Sequence, residues 1–137
     1  MSIKFHFEDV AEFPVTTETI SWLENLLQNE EKKTGKIVYI FCSDEYLLEV
    51  NRQYLNHDYY TDIITFDYVK GKTVSGDIFV SLPRIFENAE MHNTSTDKEL
   101  HRVLAHGLLH LSGYRDKSEE EQIIMRGKED FYLAKRT

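Results

Sequence analysis

The sequence predicts an α+β domain in which a mixed sheet of about four strands is covered by about five helices. Three observations carry this expectation. Apolar or alternating runs recur at residues 3–7, 36–42, 61–68 and 76–82, as half-buried and buried strands do. Amphipathic stretches with capping residues stand between and after them. No repeat, low-complexity tract or linker interrupts the chain, and 137 residues suit one core, so residues 1–137 are expected to form a single domain.

Ile3 to Phe7 alternates apolar and polar side chains, and Phe13-Pro14 breaks the chain before Thr16 or Thr17 caps a helix running to about Lys33. Ile20, Leu23 and Leu27, with Trp22 and Leu26, form its apolar stripe, and Gly35 falls where a helix stop is expected. Lys36 to Cys42 reads as the second strand. Ser43 or Asp44 then caps a helix carrying Leu47, Leu48 and Val50 to about Tyr54. The strands Thr61 to Tyr68 and Gly76 to Leu82, joined by the polar segment VKGKTVS, fit a hairpin. From Pro83 a helix directs Ile85, Phe86 and Ala89 to the core, and Thr96 or Asp97 starts another that reaches Leu111. Lys117 to Lys135 forms a last, charged helix with Ile123, Ile124, Phe131 and Leu133 as apolar positions, and Glu119 to Glu121 suit the dipole at its N-terminus.

Composition narrows the function classes. Hydrophobic residues make up 41% and charged residues 29%, and no apolar run approaches the roughly 18 residues of a membrane span, so no membrane partner is expected. The N-terminal MSIKFHFEDV lacks the features of a signal peptide and Cys42 is the single cysteine, which fits a reducing cytoplasm. Cys42 follows the apolar run IVYIF and reads as an inert thiol at a strand end. A net charge of −8 argues against binding nucleic acid through bulk electrostatics, so any RNA contact must be local.

Chemistry concentrates between His106 and Asp116. Leu100, Val103, Leu104, Leu108 and Leu111 mark one buried helix face, and His106 and His110 share its flank about 40° apart. Two imidazoles one turn apart can meet a common ion at about 2.0–2.1 Å, though the spacing alone is equally that of two ordinary histidines. Ser112-Gly113-Tyr114 resolves this, because a glycine able to take the left-handed conformation turns the chain back and lets Asp116 supply a third ligand. The spacing H-x-x-x-H-x-x-G-x-x-D varies a pattern whose third ligand is more often His. Three ligands without a nearby cysteine leave a coordination position open, as catalytic zinc sites do, and metal-assisted hydrolysis is the reaction class. Gly107 stands where zinc proteases carry a general-base glutamate, so peptide hydrolysis by that route is not expected. The glycine either leaves space beside the metal or allows close helix packing.

HGLLHLSGYRD resembles the hallmark HGxLHLxGYDH of the YbeY family of metal-dependent endoribonucleases and ribosomal RNA maturation factors, differing in the last two positions. NRQYLNHDYYTDIITFDY is similar to a second family segment through Asn51, Arg52, Asp58, Thr61, Asp62 and Phe66, and GDIFVS at residues 76–81 is similar to a family strand. The resemblance covers nearly the whole chain. It implies a zincin-like α+β fold, one zinc ion in a cleft, and action on single-stranded RNA in maturing the 3′ end of small-subunit (16S) ribosomal RNA and in ribosome quality control. Three departures stand out: Asp116 for the third His, Leu55 for a family arginine, and Asp67 for a proline.

The expected function is therefore a zinc-dependent, single-strand-specific endoribonuclease with His106, His110 and Asp116 as ligands and catalytic centre. Leu55 cannot make the contact of the family arginine; Arg115 or Arg52 is the candidate to compensate, Arg115 reading equally as a phosphate clamp or as a solvated or structural arginine. Single-stranded RNA or rRNA and the ribosomal small subunit or its proteins are the expected partners. The alternative is a non-catalytic ribosome assembly factor whose metal is structural. His101, five residues before His106, is read as exposed or outside the ligand set, and His57 and His92 as loop or helix-end residues. Asp62 and Asp77 serve either as strand-end caps or as partners that orient a ligating histidine.

Overall fold

The strand and helix signals resolve into a four-stranded sheet and five helices in the computed structural model, which describes residues 2–56 and 61–136. His57 and Asp58 lie outside the described residues. β1 (Ser2–Glu8) runs parallel to β2 (Lys33–Cys42), and β2 parallel to β4 (Thr73–Ser81). β3 (Ile63–Asp67) is antiparallel to β4, which gives the order β1-β2-β4-β3 and the mixed α+β sheet expected. Each parallel step needs a crossover, and α1 (Thr17–Asn29) makes the first; α2 (Asp44–Leu55) follows β2. The β3–β4 turn is tighter than VKGKTVS implied. Lys70 and Thr73 exchange backbone hydrogen bonds of 3.1 and 3.0 Å around Gly71, whose φ of 58° a glycine adopts without strain.

The register sets side chains in rows across one face: Phe5 opposite Tyr39 opposite Ile78, then Phe7 opposite Phe41 opposite Val80. This face carries the main core, closed by Leu23, Leu26 and Leu27 of α1 and by Leu104 and Leu108 of α4 (Thr96–Leu111). Each such fully buried side chain contributes about 1.5–3 kcal/mol. The Tyr39 hydroxyl donates to the Leu104 carbonyl at 2.7 Å, fixing α4 against the sheet centre. On the opposite face, Cys42 and Ile64 pack with Leu47 and Val50 of α2. Burial, followed by the charges of Asp44, Glu8 and Asp9, pushes the Cys42 thiol up to about 12, so it is inert as its position implied.

Several expectations are corrected. α1 ends at Asn29, not near Lys33, and Glu31 at φ 60° is the stop: its N–H bonds Gln28 O at 3.0 Å and that of Lys32 bonds Leu27 O at 2.8 Å. Gly35 belongs to β2, where a Cβ would lie 2.7 Å from Val74 O and collide with Ser75 Oγ. The next helix, α3 (Leu82–Met91), buries Leu82, Ile85 and Ala89 and leaves Phe86 51% exposed. In α5 (Glu119–Leu133), Ile123, Ile124 and Phe131 face outward and Leu133 is half-buried. Met125, Glu129 and Tyr132 face inward, because Glu129 has charged partners there and Tyr132 hydrogen bonds Asn29 and Glu30.

Candidate metal centre

α4 brings two of the predicted residues to one flank. It starts at a Ser95 cap, whose hydroxyl accepts from Lys98 N at 3.0 Å, and buries Val103, Leu104, Leu108 and Leu111 against the sheet. The side turned from the core carries His106 and His110, both half-buried, with ring centroids 4.5 Å apart and planes at 84°. Gly107 answers the question its sequence position left open. A Cβ there would sit 3.0 and 3.1 Å from the methyls of Ile78 and 3.4 Å from Ile63, so the glycine lets α4 approach the sheet and does not face the histidines.

The chain then reverses at Gly113, where φ is 112°. Its N–H bonds His110 O at 3.0 Å and that of Tyr114 bonds Leu109 O at 3.0 Å, closing the helix end. The Tyr114 hydroxyl donates to Glu30 Oε1 at 2.7 Å, anchoring the turn on α1. Gln122 Nε2 donates to Asp116 O at 3.0 Å and holds the returning strand of chain in place.

The result is a three-point donor set. Asp116 Oδ2 lies 3.3 Å from His106 Nε2 and 3.3 Å from His110 Nε2, and one donor atom from each residue falls within 4.8 Å of the others. A tetrahedral ion at about 2.0–2.1 Å from its ligands has donor–donor edges of about 3.3 Å, so this set fits a zinc-sized ion. The other ring nitrogens are engaged away from that point. His110 Nδ1 is 3.1 Å from Tyr114 O, which only accepts, so Nδ1 donates there and Nε2 is the ring atom turned to Asp116. His106 Nδ1 donates to Glu129 Oε2 at 2.7 Å. Glu129, with its side chain 7% exposed, also accepts from Arg102 Nη1 at 2.9 Å, and Arg102 Nη2 reaches Asp130 Oδ1 at 2.6 Å. Burial pulls the His106 pKa down, but the Glu129 hydrogen bond and charge, then Asp116 and Asp62, outweigh it and leave the pKa raised.

Glu129 and Arg102 were not picked out from sequence, and the helical repeat Met125–Glu129–Tyr132 was the signal available. Arg115 stands exposed just before Asp116. His101 is buried, against the exposed position expected: its Nδ1 meets Asp97 O and its Nε2 meets the Thr19 hydroxyl, both at 2.8 Å. It takes no part in the donor set. His92 ends α3, as expected of a helix-end residue. Asp77 meets the Tyr68 hydroxyl at 3.4 Å, while Asp62 caps the hairpin side of a cleft of about 380 Å³ whose floor includes His106, Asp116 and Glu129. Arg52 pairs with Glu49 at 3.5 Å, and Leu55 is partly exposed at the end of α2.

An α+β sheet domain with two imidazoles and a carboxylate converging beside an open cleft defines a class, that of candidate metal-dependent hydrolases. The family profile for Endoribonuclease YbeY matches residues 3–137, and the chain belongs to that family. Proteins named endoribonuclease YbeY from Parabacteroides distasonis and Flavobacterium johnsoniae are 50% and 51% identical to it. They align over 98% and 96% of this chain and 95% of their own length. One from Bacteroides thetaiotaomicron is 56% identical over 87% of both chains. A solution structure of a Thermotoga maritima protein superposes with a TM-score of 0.66 at 27% identity, covering 94% of this chain and 86% of that one. No helix among the described residues is long and apolar enough to cross a membrane.

Proposed function

We propose that the chain, acting as one hydrolase domain, is a zinc-dependent endoribonuclease that cuts single-stranded RNA, with one ion held by His106, His110 and Asp116. The observation that carries this reading is the convergence of both Nε2 atoms on Asp116 Oδ2 at 3.3 Å while both Nδ1 atoms are held elsewhere. When bound, zinc supplies Lewis acidity toward the phosphodiester and toward the attacking hydroxyl group. The chain's own residues set up that chemistry. Tyr114 O and Glu129 hold both rings with Nε2 turned toward Asp116, and the negative Glu129 raises the basicity of His106. Asp116 is 39% exposed, so the donor set opens to solvent and to an RNA strand, unlike a closed structural site. Its carboxylate adds a negative charge that an imidazole would not, lowering the net positive charge offered to a phosphate. Arg115, next to it and exposed, is positioned to offset this by gripping a phosphate oxygen pair.

The family membership supports a role in maturing the 3′ end of small-subunit (16S) ribosomal RNA in the cytoplasm, with the small subunit or its proteins as partner. The test compares zinc content and RNA cleavage of the wild type and His110→Ala. One zinc per chain and cleavage, both lost in the variant, are expected. Metal-free wild type, or cleavage that survives the substitution, would end the proposal.

A further inference from the structure

The cleft does not stop at the donor set. It continues along α4 past Arg102 to an end formed by Asp62, Asn88, His92 and Glu99. Glu99 and His106 are seven residues apart and so lie on one helix flank, about 10.5 Å apart along the axis. That is too far for Glu99 to reach an ion at His106, but it is the reach of one nucleotide from phosphate to base edge.

Glu99 is the unusual group at this end. It is only 5% exposed, yet its carboxylate makes no hydrogen bond among the described residues, and its nearest ionic partner, His92 Nδ1, is 3.8 Å away. Among the described residues no fully buried side-chain oxygen lacks a partner, so the Glu99 oxygens open onto the cleft they line. A buried carboxylate left with free acceptor capacity costs stability unless a ligand supplies donors. Burial raises its pKa, which expresses the same cost, while His92, Arg102 and Arg126 oppose the shift.

The chemistry of this end selects the ligand. With Asp62 beside it, Glu99 repels a phosphate, and Arg102 is already tied to Glu129 and Asp130. Neutral donors suit it instead. Single-stranded RNA presents the Watson–Crick edges of its bases to such pockets, and carboxylates accept from exocyclic amines. Guanine alone offers two adjacent donors, N1–H and the N2 amine, which match the two oxygens of a carboxylate. Uracil offers one N–H flanked by two carbonyls that would face the acid.

We propose that this end of the cleft is a base-reading subsite in which Glu99 accepts from the Watson–Crick edge of a guanine next to the cleaved phosphodiester. The inference rests on the endoribonuclease reading and adds a sequence preference to it. Asn88, at the same end, holds its Nδ2 3.5 Å from Asp62 Oδ2 and adds a further amide donor to the lining. Glu99 contacts a base and not the reacting atoms, so it determines specificity.

The test measures fluorescence anisotropy of the zinc-loaded protein with short, 2′-O-methylated uridine oligonucleotides carrying one guanosine, one inosine or neither. Inosine lacks only the N2 amine. On the order of ten-fold tighter binding with guanosine than with inosine is expected. Glu99→Gln should abolish that difference, and any gain in affinity from the lost negative charge should be shared equally by all three strands. Equal binding of the guanosine and inosine strands by the wild type overturns the inference without recourse to any variant, as does a preference that survives in Glu99→Gln. Unprotected strands separate the two readings. Cleavage that is indifferent to guanine removes the subsite alone, whereas failure to bind or cut any RNA removes the endoribonuclease reading as well.

Discussion

Glu129 is the residue on which the metal centre is most exposed to a decisive perturbation. Its carboxylate receives His106 Nδ1 at 2.7 Å and Arg102 Nη1 at 2.9 Å, and with the side chain 7% exposed no water replaces it easily. Glu129→Gln keeps the shape, but its amide turns donors toward Arg102 or toward His106, so one of the two hydrogen bonds becomes a clash of donors. Removing the partner that orients a ligating histidine typically lowers metal affinity by about 10–100-fold, which is about 1.4–2.7 kcal/mol. Breaking a buried ion pair costs about 3–5 kcal/mol of stability, and the lower end applies because Arg102 keeps Asp130 at 2.6 Å. Competition against a chromophoric zinc chelator reads the first quantity, and urea unfolding of metal-stripped protein reads the second. Zinc affinity within three-fold of wild type, in a variant that folds, would show that His106 does not depend on Glu129 for its orientation.

Asp116→His should keep one zinc per chain after dialysis while Asp116→Ala should not; retention by both would mean that position 116 does not ligate. Gly107→Ala should destabilise by about 1 kcal/mol in denaturant unfolding, since overpacking against Ile78 and Ile63 costs about 1–3 kcal/mol and helix propensity returns about 1. Unchanged or raised stability would contradict the packing role. Burial, opposed by the Asp97 carbonyl, lowers the His101 pKa below its ordinary 6.5. The unfolded chain therefore binds this proton first, and the His101 contribution is full above pH 6.5 and lost as the pH falls below it. His101→Gln should flatten the fall in melting temperature below that pH, and an identical fall in both proteins would refute the assignment.

Periodicity and capping residues located all four strands and five helices, and every element but α5 buries the face that the sequence marks with apolar side chains. The convergence of the candidate donors was also legible, since His106, His110 and Asp116 are local and the Gly113 turn brings them together. What escaped was non-local. α5 carries apolar residues on two sides, and no local rule says that Glu129 and not Ile124 turns inward; Arg102 and His106 on another helix decide it. His101 was placed at the correct angle, but the helix that covers it, with Thr19 and Trp22 against its ring, is remote in sequence. Gly35 looks like a helix stop until β4 is known to press against it.

The three donors differ in how firmly they are built in. His106 and His110 ride on a helix whose opposite side is the protein's core, and their rings are held by Glu129 and by the Tyr114 carbonyl. Asp116 sits beyond the Gly113 reversal, with its side chain 39% exposed and its backbone held by Gln122. Replacing the third donor therefore leaves the supports of the first two in place. Asp116 is the corner of the donor triangle that the surrounding fold constrains least.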